Sequence, residues 1–338
     1  MNKPICFFIL ILLPFTLFAQ EIEVLSHHEG LSIRGLSVVN ENIIWVSGTG
    51  GTVGKSTDAG KTWQWMTVKD FEKRDFRDLE AFDENTAIIM AVAEPAQILK
   101  TTDGGKNWRI VFTDSTKGMF LDAMDFAGDS VGIVVGDPID NHAFIAFTKD
   151  QGDKWIIALN GPSLDSGEAL FAASGTNIKL FWDKKLKAAD FLFVTGGVHS
   201  RFFFHDEGME IPIIQGKQTT GANSVAFDPE SMRGVIVGGD FSHDTSRKLN
   251  CALFLLPNDK KPFFHLPLSS PHGYRSCVEF ISSQRLIACG TTGVDISEDG
   301  GNSWKLISKL GFHACRKARH GELVILAGAD GRIARLKW

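Results

Sequence analysis

Six polar or charged residues recur along the chain just before short apolar runs: Arg34, Arg77, Asp122, Glu168, Asn223 and Arg275. A seventh position of the series falls among His313, Cys315 and Arg316. Brought together, the three arginines Arg34, Arg77 and Arg275 would clasp a carboxylate or a phosphate by paired N–H donation, a geometry lysine does not offer. Asp122 and Glu168 would neutralise that cluster or act on a substrate. The single tyrosine, Tyr274, stands beside Arg275 and is the one candidate for a phenolic nucleophile. Asp137 and Asp240 close apolar runs of their own and add carboxylates to a second series. One constraint opposes a Tyr274–Arg275 pair, because sequential side chains on an extended strand point to opposite faces.

A ring of such residues needs a scaffold that repeats. Apolar runs stopped by Gly or Ala recur as "IIWVSG" (43–48), "AIIMAVA" (87–93), "GIVVGD" (132–137), "FLFVTGG" (191–197), "GVIVGGD" (234–240), "LIACG" (286–290) and "LVILAG" (323–328). They read as strands buried on both faces. Another strand-like piece precedes each, such as "RDLEAF" (77–82), "DAMDF" (122–126), "NSVAF" (223–227) and "SCVEF" (276–280). A polar frame, Ser/Thr-x-Asp-x-Gly-x-x-Trp, appears as "STDAGKTW" (56–63), "TTDGGKNW" (101–108), "TKDQGDKW" (148–155) and "SEDGGNSW" (297–304). With decayed copies at "HDEGMEI" (205–211) and "PNDKKPF" (257–263), the period is about 45 residues.

Four strands per unit and seven units predict an all-β fold, a seven-bladed β-propeller filling residues 20–338 as a single domain. Six or eight blades remain alternatives, since units four and five are irregular. The C-terminal "GRIARLKW" (331–338) supplies a third strand and stops, so "EIEVLSH" (21–27) is expected to close the last blade from the N-terminal end. "SGTNIKLFWDKKLKAAD" (174–190) reads as an insertion in blade four, and "FSHDTSRKLN" (241–250) as one in blade five. The arginine and carboxylate series then falls on the loops around one mouth of the central channel, and the polar frames on the opposite face.

Each polar frame is expected to be a hairpin turn between the third and fourth strands. Asp58, Asp103, Asp150 and Asp299 accept backbone N–H bonds, helped by hydroxyls such as Ser56. Gly60, Gly105, Gly152 and Gly301 supply a left-handed position, and Trp63, Trp108, Trp155 and Trp304 bury a large ring. None of these turns pairs a nucleophile with a base, so their role is structural. The four frames resemble the Asp-box (BNR) repeats of sialidases and other secreted propellers. The spacing along the whole chain, with "FRDLEAFDENTAIIM" entering blade two, is more similar to the photosystem II stability/assembly-factor-like propellers, some of them exported bacterial proteins. That resemblance implies a non-catalytic scaffold that binds a protein partner. The more distant sialidase resemblance implies a glycoside hydrolase acting on acidic glycans, with Tyr274, Glu168 and Asp122 in the catalytic roles. Only "SIRGL" (32–36) loosely matches the sialidase opening motif.

Bulk properties narrow the choice. The chain has 338 residues with a net charge of −5, which disfavours nucleic acid as a partner. "MNKPICFFILILLPFTLFAQ" opens with a basic residue and an apolar run ending at Ala19, and reads as a cleaved signal peptide over residues 1–19. The mature protein is thus expected to be exported, periplasmic or extracellular, monomeric, and without stable membrane insertion. Four cysteines then remain: Cys251, Cys277, Cys289 and Cys315. Three disulfide pairings are open to them, and buried free thiols are the alternative. No C-x-x-C occurs, no complete metal-ligand set is visible around His27-His28 or "FSHD" (241–244), and "GTGGTVG" (48–54) lacks the strand–helix context of a nucleotide site. The reading therefore expects no metal and no cofactor, and a partner that is a protein or a carbohydrate.

Overall fold

The structure, a computed structural model, describes residues 20–257 and 261–338. Seven antiparallel sheets form the blades of a β-propeller. The first strands of successive blades are Ile33–Val38, Phe76–Ala81, Leu121–Ala127, Ile178–Asp183, Thr220–Asp228, Cys277–Phe280 and Ala314–Lys317. Each of these contacts the next, and the last returns to the first, so the ring is closed. Glu21–Ser26 pairs antiparallel with Ile333–Lys337, so the last blade takes its outer strand from the other end of the chain, as the spare strand in the sequence requires.

The apolar runs are second strands. Ile44–Gly48, Ala87–Ala91 and Leu286–Gly290 are buried at every position, whereas the outer strand Gln64–Thr67 is half exposed. The core lies between blades. Trp45 of blade one, for example, packs with Phe76, Leu79 and Ile89 of blade two. Among the described residues, no helix is long and apolar enough to cross a membrane. The segment read as a signal peptide lies outside the described residues.

The polar frames are turns between third and fourth strands. Ser56 Oγ donates to Asp58 Oδ1 at 2.9 Å and accepts the Gly60 N–H at 2.9 Å. Asp58 then accepts the Thr62 N–H at 2.8 Å and the Thr62 hydroxyl at 2.6 Å. These bonds from Thr62 hold the Asp58 carboxyl down at about 2. Thr101, Thr148 and Ser297 repeat the hydroxyl's part beside Asp103, Asp150 and Asp299. Trp63, Trp108 and Trp304 donate their indole N–H to the carbonyls of Gly60, Gly105 and Gly301, while Trp155 Nε1 has no partner. The frame glycines also abut the preceding blade. A Cβ on Gly152, whose φ is +78°, would meet Ile88 of blade two at 2.3 Å.

Two sequence expectations need correction. Residues 174–190 are not an insertion, because Ile178–Asp183 is the first strand of blade four and Ala188–Val194 its second. Lys179 and the half-exposed Trp182 break the apolar pattern and hid that strand. The disulfide option also fails: Cys251, Cys277, Cys289 and Cys315 are all free and buried. The decayed frame at 205–211 does hold a tight turn, between Arg201–Phe204 and Glu207–Glu210. Of the other, residues 258–260 fall outside the described chain.

Candidate ligand site at the channel mouth

The channel does not run through the ring. Residues 171–177, ahead of the first strand of blade four, cross it and bind the other blades. Arg34 Nη1 of blade one donates to Ala173 O at 3.0 Å. Ser174 Oγ donates to Ser276 O of blade six at 2.7 Å, and Arg316 Nη2 of blade seven donates to Ser174 O at 3.0 Å. Thr176 Oγ1 donates to Ser224 Oγ of blade five at 2.7 Å. Gly175, with φ +67°, lies against Asp78 of blade two, where a Cβ would stand 2.2 Å from the carboxyl carbon. Only glycine fits that contact.

Above this plug is a dead-end cavity of about 530 Å³. Arg34, Arg77 and His313 line it, together with the rings of Phe120, Phe171 and Phe241. Arg77 lies over the Phe120 ring at 5.6 Å, and its Nε has no hydrogen-bond partner. Burial, together with the like charge of Arg77, pulls the Arg34 guanidinium below its ordinary value. Phe241 is 46% exposed and packs edge-on against both Phe171 and Tyr274. These groups lie at the starts of first strands, in the loops that enter them or in loops that join second to third strands, so they share one face of the ring. The polar-frame turns occupy the other.

Asp122 is fully buried at this cavity, and neither carboxyl oxygen has a hydrogen-bond partner. Burial, then the charge of Asp137, raises its pKa well above the ordinary value. Burial therefore favours the protonated form of Asp122, in which it can donate a hydrogen bond. Asp137 also lines the cavity and accepts the Leu170 N–H at 3.0 Å.

Three expected mouth residues, Arg275, Glu168 and Asp240, do not line the cavity, and Tyr274, which does, is engaged within the fold. Arg275 turns into blade six, fully buried, and pairs with Asp295. Tyr274, in the loop before that blade's first strand, lines the cavity but is buried and donates its hydroxyl to Asn223 Oδ1 at 2.8 Å; burial pushes its pKa up. Glu168 sits on a two-residue strand, Glu168–Ala169, and does not line the cavity. Its carboxylate is held by Arg201 Nε at 3.1 Å and by the Thr195 hydroxyl. Asp240 caps a short 3-10 turn, Phe241–His243, through Ser242 N–H at 3.0 Å. The sialidase constellation is thus not assembled: the tyrosine meets an amide, the third arginine faces away, and the glutamate is engaged elsewhere.

His313 answers the open seventh position. Its Nδ1 lies 3.0 Å from Ile33 O, and burial, then Arg34, holds its pKa down at about 4. The unfolded chain would protonate it near 6.5. Its contribution to stability is therefore complete above pH 6.5 and lost as pH falls toward 4, up to about 3 kcal/mol. Asp78, raised by burial to about 7, acts in the opposite sense over pH 4–7. The expected result is a shallower loss of stability on acidification for His313→Gln than for wild type, in urea unfolding between pH 7 and 4. Parallel curves would contradict it.

Fold and cavity define a class: a β-propeller whose closed channel presents a cationic and aromatic pocket on one face. No protein-family model and no curated protein matches the chain. Among solved structures it is similar to YCF48 from Cyanidioschyzon merolae, with a TM-score of 0.63 and 17% identity over 94% of this chain and 98% of that one. A structure of YCF48 bound to D1 peptide aligns with the same score and identity, over 94% and 96%. At this identity the likeness is one of fold.

Proposed function

We propose that this protein is an exported, non-catalytic propeller that binds an extended segment of a protein partner through the channel-mouth face, in the manner of an assembly or stability factor. The observation that carries the reading is the cavity itself: two guanidiniums, one with an unpartnered N–H, beside a buried carboxyl group and aromatic rings. Such a pocket suits a carboxylate flanked by an apolar group, as an acidic peptide segment presents. A hydrolase would need a polarised nucleophile, and the hydroxyl of Tyr274 has only an amide for a partner. The YCF48 structure with D1 peptide supports a peptide as ligand for this fold.

The test is affinity capture from envelope extracts by wild type and by an Arg34→Gln/Arg77→Gln variant, beside a fluorogenic sialoside panel. A protein enriched by wild type alone is the expected result. Equal capture by both, or sialoside turnover that Arg77→Ala abolishes, contradicts the reading.

A further inference from the structure

Three of the four cysteines converge outside the mouth. Cys277 lies on the first strand of blade six, Cys289 opposite it on the second, and Cys315 on the first strand of blade seven. All three are fully buried, and their Sγ atoms lie within 4.8 Å of one another. Three sulfurs each about 2.3 Å from one ion, in a plane, stand about 4.0 Å apart, so closing this group needs shifts of roughly an ångström or less. Cys251, on blade five, is not part of the group.

The surroundings select the ion. Phe312, Ile287, Val294 and Leu326 pack with the cysteines in one buried apolar cluster, an environment that offers no polar partners to a water ligand. Zinc in a structural site takes four donors, and the described residues offer no fourth to this group. A soft ion content with three thiolates fits better. Three thiolates around a monovalent ion leave net negative charge in a dry interior, which needs an offset. Arg316 offsets one of the two negative charges: Nη1 lies 3.3 Å from Cys277 Sγ, with the same guanidinium bonded to the plug at Ser174 O. Thr176 of the plug stands 3.7 Å from that sulfur, so the plug is the side from which an ion would arrive.

We propose that Cys277, Cys289 and Cys315 form a three-thiolate site for cuprous copper behind the channel plug. The site ties blade six to blade seven, so loading it stabilises the fold by mass action. It is independent of the peptide-binding reading, and either can fail alone.

The test titrates reduced wild-type protein with Cu(I) against a chromogenic chelator, and also assays copper retained by protein produced in copper-supplemented medium. One copper per chain, a higher melting temperature and an ultraviolet thiolate-to-copper band are the expected results. Cys289→Ser and Cys315→Ser lose the stoichiometric binding, whereas Cys251→Ser keeps it. X-ray absorption on the loaded wild type, which depends on no variant folding, is expected to give three sulfur neighbours at about 2.3 Å. No copper in either preparation, a copper–sulfur count other than three, or an intramolecular disulfide among these cysteines in protein purified without reductant would overturn the proposal.

Discussion

Arg275→Met is expected to lower unfolding stability by about 3–5 kcal/mol, the usual result of removing one partner from a buried ion pair. Arg275 and Asp295 are both fully buried. Every guanidinium N–H has an acceptor. Nε donates to Asp295 Oδ2 at 2.8 Å, Nη1 to Tyr274 O at 2.8 Å and Thr292 Oγ1 at 2.9 Å, and Nη2 to His272 O at 2.9 Å and to Asp295. Asp295 also accepts the His272 N–H at 3.1 Å. Removing the arginine leaves a carboxylate without its countercharge and frees the 272–275 loop. A double variant, Arg275→Met/Asp295→Leu, is expected to regain most of the loss, because apolar replacements of comparable size carry no desolvation penalty. Denaturant unfolding of the three variants measures this. A loss below about 1 kcal/mol for Arg275→Met would mean the pair is not what anchors the loop.

The second large effect is on binding. Arg34→Gln/Arg77→Gln is expected to weaken an acidic peptide, selected from a random library against the wild type, by about 100-fold or more. Two charge-assisted hydrogen bonds worth about 1.5–3 kcal/mol each account for that factor. Stability is expected to change little, since Arg34 has one bond to the plug, at Ala173 O, and Arg77 one distant ion pair, 3.7 Å from Asp75. The loss is expected to diminish as salt rises, because screening weakens the wild-type complex first. Isothermal titration at two salt concentrations reads both. Unchanged affinity in the double variant would place the ligand elsewhere.

Much of the ring was legible in the sequence because strands and turns leave local marks. The frame around Asp58 and its three intact copies count units, and the spare strand Glu21–Ser26 gives the closure. The cavity was legible only in part. Arg34, Arg77, Asp122 and Asp137 reach it because they lie on strands near the end that topology gathers at the mouth. Arg275 occupies an equivalent position and turns away, since its acceptor, Asp295, lies on another strand of the same blade and no sequence pattern marks that pairing. The plug was missed for a related reason. Residues 172–177 are small or polar and nearly featureless, and what buries them is contact with five other blades. The three cysteines were set aside because they are not spaced as C-x-x-C; two facing strands and a neighbouring blade bring them together.

The central claim is that the mouth, not the polar-frame face, holds the partner. Hydrogen-exchange mass spectrometry with the selected peptide tests it most directly. The account predicts slowed exchange in residues 169–173 and 241–244 and in the loop at 271–276, with the turns at 56–63, 101–108, 148–155 and 297–304 unchanged. Protection confined to those four turns would contradict it.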